Sequence, residues 1–475
     1  MFRLTTCFTA MLMLVGIANT TFGQDPGPDL EAVKEQADDA YRQRNFPQAI
    51  QLSNQVLAKQ PQDHVALYLR GSAQVEMGIL TGDADMLRRG IADARNAIRF
   101  EENGKPEYYL PYIYGMSHLA DVEEKKAHAQ TAKTVAESVL EREDLTAEQQ
   151  ANLLYQRAQA NMRLQDNAAA ERDLKQAIQV SPKHTAAHMA LAEFAARTKS
   201  PAEAIAAFSS VVQSFPENPV AWNNRGMFLQ SQGKTAEAIQ DFTQAIKLNG
   251  RFIPAYINRG FAHLEAGDSA AAEAALSEVL TIDPSQVGAL SLRATARLNQ
   301  NKAAEALQDY QRVAEMAPEN PMSHADLGFA QFFSGDFAGA FDSFNNALRI
   351  QPDMRFVLPW KLASAIRASK YQQQDYQAII SKPAESRDWI DTLVLFQLGQ
   401  VDAQSLLKAA HPDDKDARAA QLCEAYYFIG MELLRRDRQK DAVAYWKQSI
   451  RSELPRLSAY RGAVFALKNS GASTQ

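Results

Sequence analysis

The chain has 475 residues, 46% of them hydrophobic, and a formal net charge of −6. An acidic balance argues against the basic surface that nucleic-acid-binding proteins present. The sequence has no Thr/Val/Ile-rich runs of alternating polarity, which argues against a sheet and predicts an all-α fold.

The N-terminal residues 1–23 have the pattern of an export signal. Arg3 provides a positive charge, residues 4–18 form an apolar stretch, and small residues follow, so cleavage is expected after Gly23 or Ala18. The apolar stretch is shorter than the roughly 20 residues that a membrane-spanning helix needs. The sequence therefore predicts an exported protein with no stable membrane insertion after signal cleavage. An uncleaved membrane anchor is the alternative.

The two cysteines are too few to build a disulfide framework. Cys7 lies inside the predicted signal, and its loss leaves Cys423 as the single thiol of the mature chain. One thiol forms no internal disulfide, so packing alone is expected to hold the fold together.

Residues 24–29 (QDPGPD) are predicted to be a short linker rich in proline and glycine, followed by divergent helical repeats over residues 30–150. In the first of these, Ala49 and Pro61 are twelve residues apart, as in the regular repeats that come later. The second carries seven extra residues within GILTGDADMLRRG, and the third is more degenerate still.

Six regular repeats of equal length occupy residues 151–354. An alanine marks each repeat, a large side chain follows it by four residues, and proline or glycine follows it by twelve. The alanine permits two helices to approach closely, the large residue fills the space between repeats, and proline or glycine ends the second helix. The six alanines are Ala170, Ala204, Ala238, Ala272, Ala306 and Ala340.

The constant spacing of these alanines is the length of one tetratricopeptide repeat (TPR), a pair of antiparallel helices. The stretches NNRGMFLQSQGKTAEAIQDFTQAIKLNG and INRGFAHLEAGDSAAAEAALSEVLTIDP resemble this family closely. The resemblance implies an all-α fold in which antiparallel helix pairs stack into a superhelical solenoid that ends in a capping helix.

The period fails after Met354. Residues 355–422 are predicted to form an irregular helical segment, and residues 423–475 a final repeat, a capping helix and a disordered tail. The runs WIDTLVLFQLGQVDAQSLLKAA, AQLCEAYYFIGMELLRRDRQKDAVAYWKQSI and SAYRGAVFAL resemble the C-terminal half of the NlpI-type periplasmic TPR lipoproteins, over residues 387–467. This second resemblance implies an envelope adaptor that docks proteases or cell-wall hydrolases. The chain differs from that family in lacking a lipobox and in having more repeats.

No catalytic constellation is recognisable along the chain. The tripeptide Gly233-Lys234-Thr235 resembles the end of a phosphate-binding loop, but Phe228 stands where that loop has a glycine. His184 and His188 have an i, i+4 metal spacing but lack the glutamate of an HExxH motif. The sequence therefore predicts a protein that is not an enzyme and has no cofactor or metal site.

The first helices of stacked repeats are expected to line a concave groove, and some of the residues that face it are apolar or carry amides. Exposed apolar side chains mark binding sites, and amide side chains can hydrogen-bond a peptide backbone without reading its sequence. The alternative is that the phenylalanines pack beneath the irregular segment after Met354. The predicted peptide-binding residues are Asn223, Asn224, Met227, Asn258, Phe261, Met322, Phe329 and Phe333.

These features favour a non-enzymatic scaffold or adaptor of the bacterial cell envelope that binds a protein or peptide in the concave groove. The groove positions carry no lysine or arginine clamp, so recognition of acidic C-termini is not expected. The competing hypothesis is a structural subunit of an envelope assembly, secretion or cell-wall machine. Such a subunit would contact its partners through its convex face and its C-terminal module. Neither hypothesis includes nucleic acid as a partner.

Overall fold

The computed structural model describes residues 29–101, 104–300, 302–410, 414–454 and 457–472. The predicted signal, most of the predicted linker and the last three residues of the predicted tail lie outside the described residues. Within the described ranges every regular element is helical, which confirms the all-α prediction.

Most of the α-helices in the described ranges follow one another as antiparallel pairs with short connections, as the regular repeat of the sequence predicts. In chain order they are α1 (Leu30–Arg42), α2 (Phe46–Lys59), α3 (His64–Thr81), α4 (Ala84–Phe100), α5 (Tyr109–Val122), α6 (Lys126–Leu140), α7 (Ala147–Arg163), α8 (Asn167–Val180), α9 (Thr185–Thr198), α10 (Pro201–Ser214), α11 (Pro219–Ser231), α12 (Thr235–Leu248), α13 (Ile253–Glu265), α14 (Ser269–Ile282), α15 (Val287–Asn299), α16 (Ala303–Met316), α17 (Pro321–Ser334), α18 (Phe337–Ile350), α19 (Leu358–Arg367), α20 (Gln377–Ile380), α21 (Trp389–Gln397), α22 (Ala403–Ala409), α23 (Lys415–Arg435), α24 (Gln439–Ile450) and α25 (Ser458–Asn469). Short 3-10 helices lie at Pro106–Tyr108, Arg355–Val357, Gln373–Tyr376 and Ala384–Ser386.

The described residues form two compact units, which divide between Arg197 and Thr198. In the first unit, the seven extra residues of the second repeat lengthen its helices instead of forming a loop: α3 has 18 residues and α4 has 17. The turn between them needs only two residues. Gly82 adopts a left-handed φ of 67°, and the Asp83 side chain caps α4 by accepting from the backbone N–H groups of Asp85 and Met86.

In the second unit, several first helices have a glycine that lies directly against a large side chain of the following helix. A Cβ atom added at Gly226 would lie 2.7 Å from the ring of Phe242, and one added at Gly328 would lie 2.7 Å from Phe344. Both rings are completely buried. The glycine therefore leaves room for the ring, so the two helices of a pair lie close together at this point.

Three helix pairs also share a buried ion pair between an arginine on the first helix and an aspartate sixteen residues later on the second. The three arginines are separated from one another by two full repeats, so the ion pair recurs in every second repeat. All three aspartates are buried. The pairs are Arg157–Asp173 in the first unit, and Arg225–Asp241 and Arg293–Asp309 in the second.

The segment after Met354 packs onto the last regular repeat. Trp360, on α19, is 2% exposed and belongs to the same hydrophobic core as residues from α17, α18, α23 and α25. Its ring stacks on Tyr427 of α23 with 5.0 Å between centroids, and it meets Phe428 edge-on at 5.2 Å. The irregular helices thus cover the apolar end of the regular stack.

Candidate peptide-binding face

The predicted binding residues lie on α11, α13 and α17, the first helices of their pairs. α11 and α13 carry Pro219 and Pro254 in the first turn, where the missing N–H removes no intrahelical bond. Asn218 caps α11 by accepting a hydrogen bond from the backbone N–H of Val220 over 2.9 Å. Because these helices start at equivalent places, residues one repeat apart in the sequence occupy equivalent positions on successive first helices.

Three of the predicted apolar residues are exposed. Met227 is 50% exposed, Phe261 is 43% exposed and Met322 is 45% exposed. Met227 and Phe261 are one repeat apart, on α11 and α13, so the two side chains occupy equivalent places on helices that contact each other. Large apolar side chains left in water on neighbouring helices are typical of a binding surface.

Amide side chains connect α11 and α13 beside these apolar residues. The Nδ2 of Asn258 donates to Oδ1 of Asn223 over 2.9 Å, and the Nδ2 of Asn223 donates to Oδ1 of Asn224 over 3.4 Å. The same Nδ2 of Asn223 lies 3.4 Å from the sulfur of Met227. We call Asn223, Asn224, Met227, Asn258 and Phe261 the candidate face.

Asn223 differs from the expectation that it is an exposed contact residue, because it is only 4% exposed. Its side chain is enclosed between α11 and α13, where it orients Asn258 and Asn224. Both of those residues are partly exposed. Asn223 therefore positions the other amides, while Asn224 and Asn258 have the outer amide groups of the candidate face.

The predicted exposure of Phe329 and Phe333 is wrong, since they are 6% and 5% exposed. The ring of Phe329 meets Trp360 edge-on at 5.2 Å and Phe344 at 5.1 Å. The ring of Phe333 lies 5.8 Å from Trp360 and 6.0 Å from Phe465 of α25. The alternative, that these phenylalanines pack beneath the segment after Met354, is the arrangement that the structure shows.

Asp326, which the sequence pattern did not single out, occupies on α17 the place that Asn224 and Asn258 occupy on α11 and α13. Burial raises the pKa of Asp326 to about 6, and the positive charge of Arg461 on α25 opposes this increase. One signal in the sequence could have identified Asp326. It is an acidic residue at the repeat position where α11 and α13 have asparagine. The helix α25 therefore brings a charge, as well as an aromatic ring, to the surface of α17.

The tripeptide Gly233-Lys234-Thr235 and the histidine pair His184 and His188 have structural roles. The Lys234 side chain pairs with Glu237 at 3.0 Å, and Gly233 has a left-handed φ of 74° in the turn before α12. Nε2 of His184 lies 3.0 Å from Oδ1 of Asn152, and burial lowers the pKa of this histidine. Across the described residues, no group of three or more His, Cys, Asp or Glu side chains is arranged to hold a metal ion. None of the helices in the described ranges is both long and apolar enough to cross a membrane.

Three solved structures that are similar to this chain each cover less than half of it. PilF of Pseudomonas aeruginosa is 21% identical, with a TM-score of 0.38, over 43% of this chain and 94% of that one. PilW, described as a widely conserved type IV pilus biogenesis factor, is 21% identical, with a TM-score of 0.37, over 42% and 94%. YrrB, described as a TPR protein with an unusual peptide-binding site, is 16% identical, with a TM-score of 0.34, over 42% and 98%.

Family models give a more direct result, although no curated protein matches the chain at a significant level. One tetratricopeptide-repeat model matches residues 34–98, 155–219 and 291–355. Two further models with the same description match residues 219–252 and 253–286. Together these matches cover more than half of the chain, and they fall on the helix pairs described above. The chain therefore belongs to the tetratricopeptide-repeat family.

Proposed function

We propose that this protein is a non-enzymatic scaffold that binds an extended segment of a partner protein at the candidate face. The observation that carries the proposal is the pair of exposed apolar residues, Met227 and Phe261, beside the hydrogen-bonded amides of Asn223 and Asn258. Removing these two side chains from water would provide the affinity. The outer amides would hold the backbone of the segment.

The amides can make hydrogen bonds that the protein itself leaves unmade. Among the described residues, Nδ2 of Asn224 and Oδ1 of Asn258 have no hydrogen-bond partner, while the inner atoms of both side chains are engaged. One group is a donor and the other an acceptor, which is what one peptide unit of an extended chain requires. These hydrogen bonds would recognise the backbone of the partner segment. Its side chains would be selected by the apolar residues Met227 and Phe261.

The charges near the candidate face favour an internal segment over a chain terminus. Arg225 is occupied by its two hydrogen bonds to Asp241, and Arg259 lies over the ring of Tyr256 and 3.5 Å from Glu278. Arg225 is engaged by a buried carboxylate of α12, and Arg259 is directed to Glu278 on α14, so neither guanidinium forms a clamp for a terminal carboxylate on the candidate face. We therefore propose a partner segment that contributes aliphatic or aromatic side chains and no charged end.

The test compares two phenylalanines with the same exposure. Phe261 and Phe356 are both 43% exposed, but Phe356 lies after α18, outside the candidate face. Partners would be captured from the organism's own cell envelope, identified by mass spectrometry, and titrated in purified form against each variant. Phe261→Ala combined with Met227→Ala is expected to weaken binding more than tenfold, as truncation of buried anchors does, whereas Phe356→Ala leaves it unchanged. Unchanged binding by the double variant would favour a structural subunit that uses other surfaces.

We also propose that the protein acts in the bacterial cell envelope. The export-signal pattern of residues 1–23 and the resemblance of residues 387–467 to the NlpI-type lipoproteins support this location. N-terminal sequencing of protein recovered from fractionated cells tests it. A mature chain that starts at Asn19 or Gln24 in the envelope fraction is expected. Recovery of Met1 from a salt-resistant membrane pellet would instead identify an uncleaved anchor.

A further inference from the structure

A pocket in the first unit is lined by tyrosines from four successive first helices. Tyr41 comes from α1, Tyr68 from α3, Tyr114 from α5 and Tyr155 from α7, and the space that they enclose is about 280 Å³. All four are partly exposed. The pocket belongs entirely to residues 41–156, so it is separate from the candidate face and does not depend on the proposed function.

Neighbouring rings hold two of these tyrosines in place. Tyr68 stacks on Tyr108 with 4.6 Å between centroids and only 8° between ring planes. Tyr114 meets the ring of His118 edge-on at 4.6 Å. Burial lowers the pKa of His118 to about 4, so this histidine is neutral near pH 7 and supplies no positive charge to the pocket.

A carboxylate lies in the pocket without a cationic partner. Glu76, on α3, is partly buried, and within the described ranges it forms no ion pair or hydrogen bond. Burial raises its pKa, and Arg44 is the cation that opposes this increase. Arg44 is itself exposed, and its guanidinium lies 5.9 Å from the centroid of the Phe46 ring. Removing a carboxylate from water without a partner of opposite charge costs free energy, and a bound cation would offset that cost.

Two further polar groups of the pocket are unsatisfied. Oε1 of Gln156, on α7, is buried and has no hydrogen-bond partner among the described residues. Ser72 is 3% exposed, and its hydroxyl faces Tyr41 and Tyr68 without completing a hydrogen bond of normal geometry in the described part of the chain. The pocket thus offers an amide oxygen, a hydroxyl and a carboxylate, which together call for a ligand with several donors.

The charges on the surrounding elements do not neutralise the site. Acidic Asp38 and Glu107 act on Tyr68 from α1 and from the 3-10 helix before α5. Arg163 of α7 and the exposed Arg44 act on Tyr114, but Arg163 is engaged with Asp121 at 2.8 Å. The groups near the pocket are therefore mainly electron-rich rings, acceptors and negative charges.

We infer that this pocket binds a guanidinium group, namely the side chain of an arginine in a partner polypeptide. A planar guanidinium stacks on tyrosine faces through cation–π attraction, and its five N–H donors match the carboxylate of Glu76 and the oxygen of Gln156. A cavity of this size accepts one long side chain, although it is slightly smaller than the typical pocket for a drug-sized ligand.

Saturation-transfer NMR on the full chain tests this inference, because the method detects weak ligands of large proteins. The probes are N-acetyl-arginine amide and N-acetyl-citrulline amide, which share a shape but differ in charge. We expect the arginine probe to bind at least about tenfold more tightly than the citrulline probe, as a charge-assisted hydrogen bond implies. This comparison uses the unmodified protein and needs no variant to fold.

Variants then locate the site. Glu76→Gln is expected to remove the tenfold preference for arginine, and Tyr114→Ala to weaken binding, while Tyr114→Phe keeps the ring face and retains it. Glu424→Gln is the matched control, since Glu424 on α23 is another partly buried acid whose pKa burial raises, but it lies in the second unit and does not line the pocket. Equal binding of the two probes, or an equal loss in Glu76→Gln and Glu424→Gln, would overturn the inference.

Discussion

The guanidinium of Arg225 forms two parallel hydrogen bonds with the carboxylate of Asp241, from Nε and from Nη2, each over 2.7 Å. This pair joins α11 to α12 below the candidate face, and only 5% of the aspartate side chain is exposed. The guanidinium also lies 4.9 Å from the centroid of the Trp222 ring. Arg225 therefore links α12 to α11, the helix that presents Met227. Its Nε and Nη2 donors are both used within the protein.

Breaking this pair from one side is expected to destabilise the second unit strongly. Asp241→Ala leaves a partly buried guanidinium unpaired, so the free energy of unfolding should fall by about 3–5 kcal/mol. The combined replacement Arg225→Met with Asp241→Leu removes both charges and should cost much less. Denaturant unfolding of the single and double variants measures this difference. A double variant as unstable as Asp241→Ala would show that the charges themselves stabilise the fold.

The pair formed by Arg259 and Glu278 provides the control for this experiment. Its atoms are 3.5 Å apart, and 55% of the glutamate side chain is exposed. Exposed ion pairs contribute little, so Glu278→Ala should change the free energy of unfolding by less than about 1 kcal/mol.

Phe329 and Phe261 occupy equivalent places two repeats apart, yet they should respond oppositely to truncation. Phe329→Ala removes a buried ring from contacts with Trp360 and Phe344, so it should destabilise the fold by about 3–5 kcal/mol. Phe261→Ala removes a ring that is 43% exposed, and the loss should be less than about 1 kcal/mol. Thermal and denaturant unfolding of the two variants measure these values. Similar losses in both would mean that the ring of Phe261 is also part of the core.

The stability of the second unit should depend on pH through Asp326. Its folded pKa of about 6 lies above the ordinary value of 3.8, so the folded state holds the proton more tightly between these values. The stabilisation that protonated Asp326 gives the folded state is therefore complete below about pH 4, and it is lost as the pH rises through 6. Asp326→Asn should be more stable than the original protein by about 1–3 kcal/mol at pH 8, with a smaller gain at pH 5. A gain that is the same at both pH values would exclude this titration as its cause.

Cys423 should be unreactive in the folded protein. The residue is 1% exposed, burial raises the pKa of its thiol, and its sulfur lies 3.4 Å from the hydroxyl of Ser449. A thiol that is buried and protonated is a poor nucleophile. In a Cys7→Ser variant, a disulfide reagent should therefore react at the rate of unfolding, and rapidly in concentrated guanidinium. Fast reaction under native conditions would show that α23 and α24 separate readily.

The local pattern of the sequence was enough to predict the helix pairs, and part of the candidate face with them. The regularly spaced alanines predicted close helix contacts, and all six of them are completely buried. The same register identified Met227 and Phe261, because exposure on a first helix follows from its position in the repeat. Whether these residues bind a peptide stays a prediction.

The predictions of exposure were wrong where residues distant in the sequence cover a repeat. Phe329 and Phe333 have the same position in the repeat as exposed residues elsewhere, but Trp360 and Phe465 bury them. Both covering residues lie outside the regular repeats, so no periodicity connects them with α17. The tyrosine pocket was missed for a similar reason, since three of its four tyrosines lie in the divergent repeats, which do not share the register of the regular ones.

The contacts between glycines and large side chains mean that the side chains at two positions, sixteen residues apart, occupy the same space between the two helices of a pair. Where the first helix has glycine, the second has Phe242, Leu276, Phe344 or Trp446. Where the first helix has alanine, at Ala158, Ala192 or Ala294, the second has Leu174, Phe208 or Tyr310. The first position is therefore restricted to very small residues whatever large side chain stands opposite, and natural variants of this chain should keep glycine or alanine there.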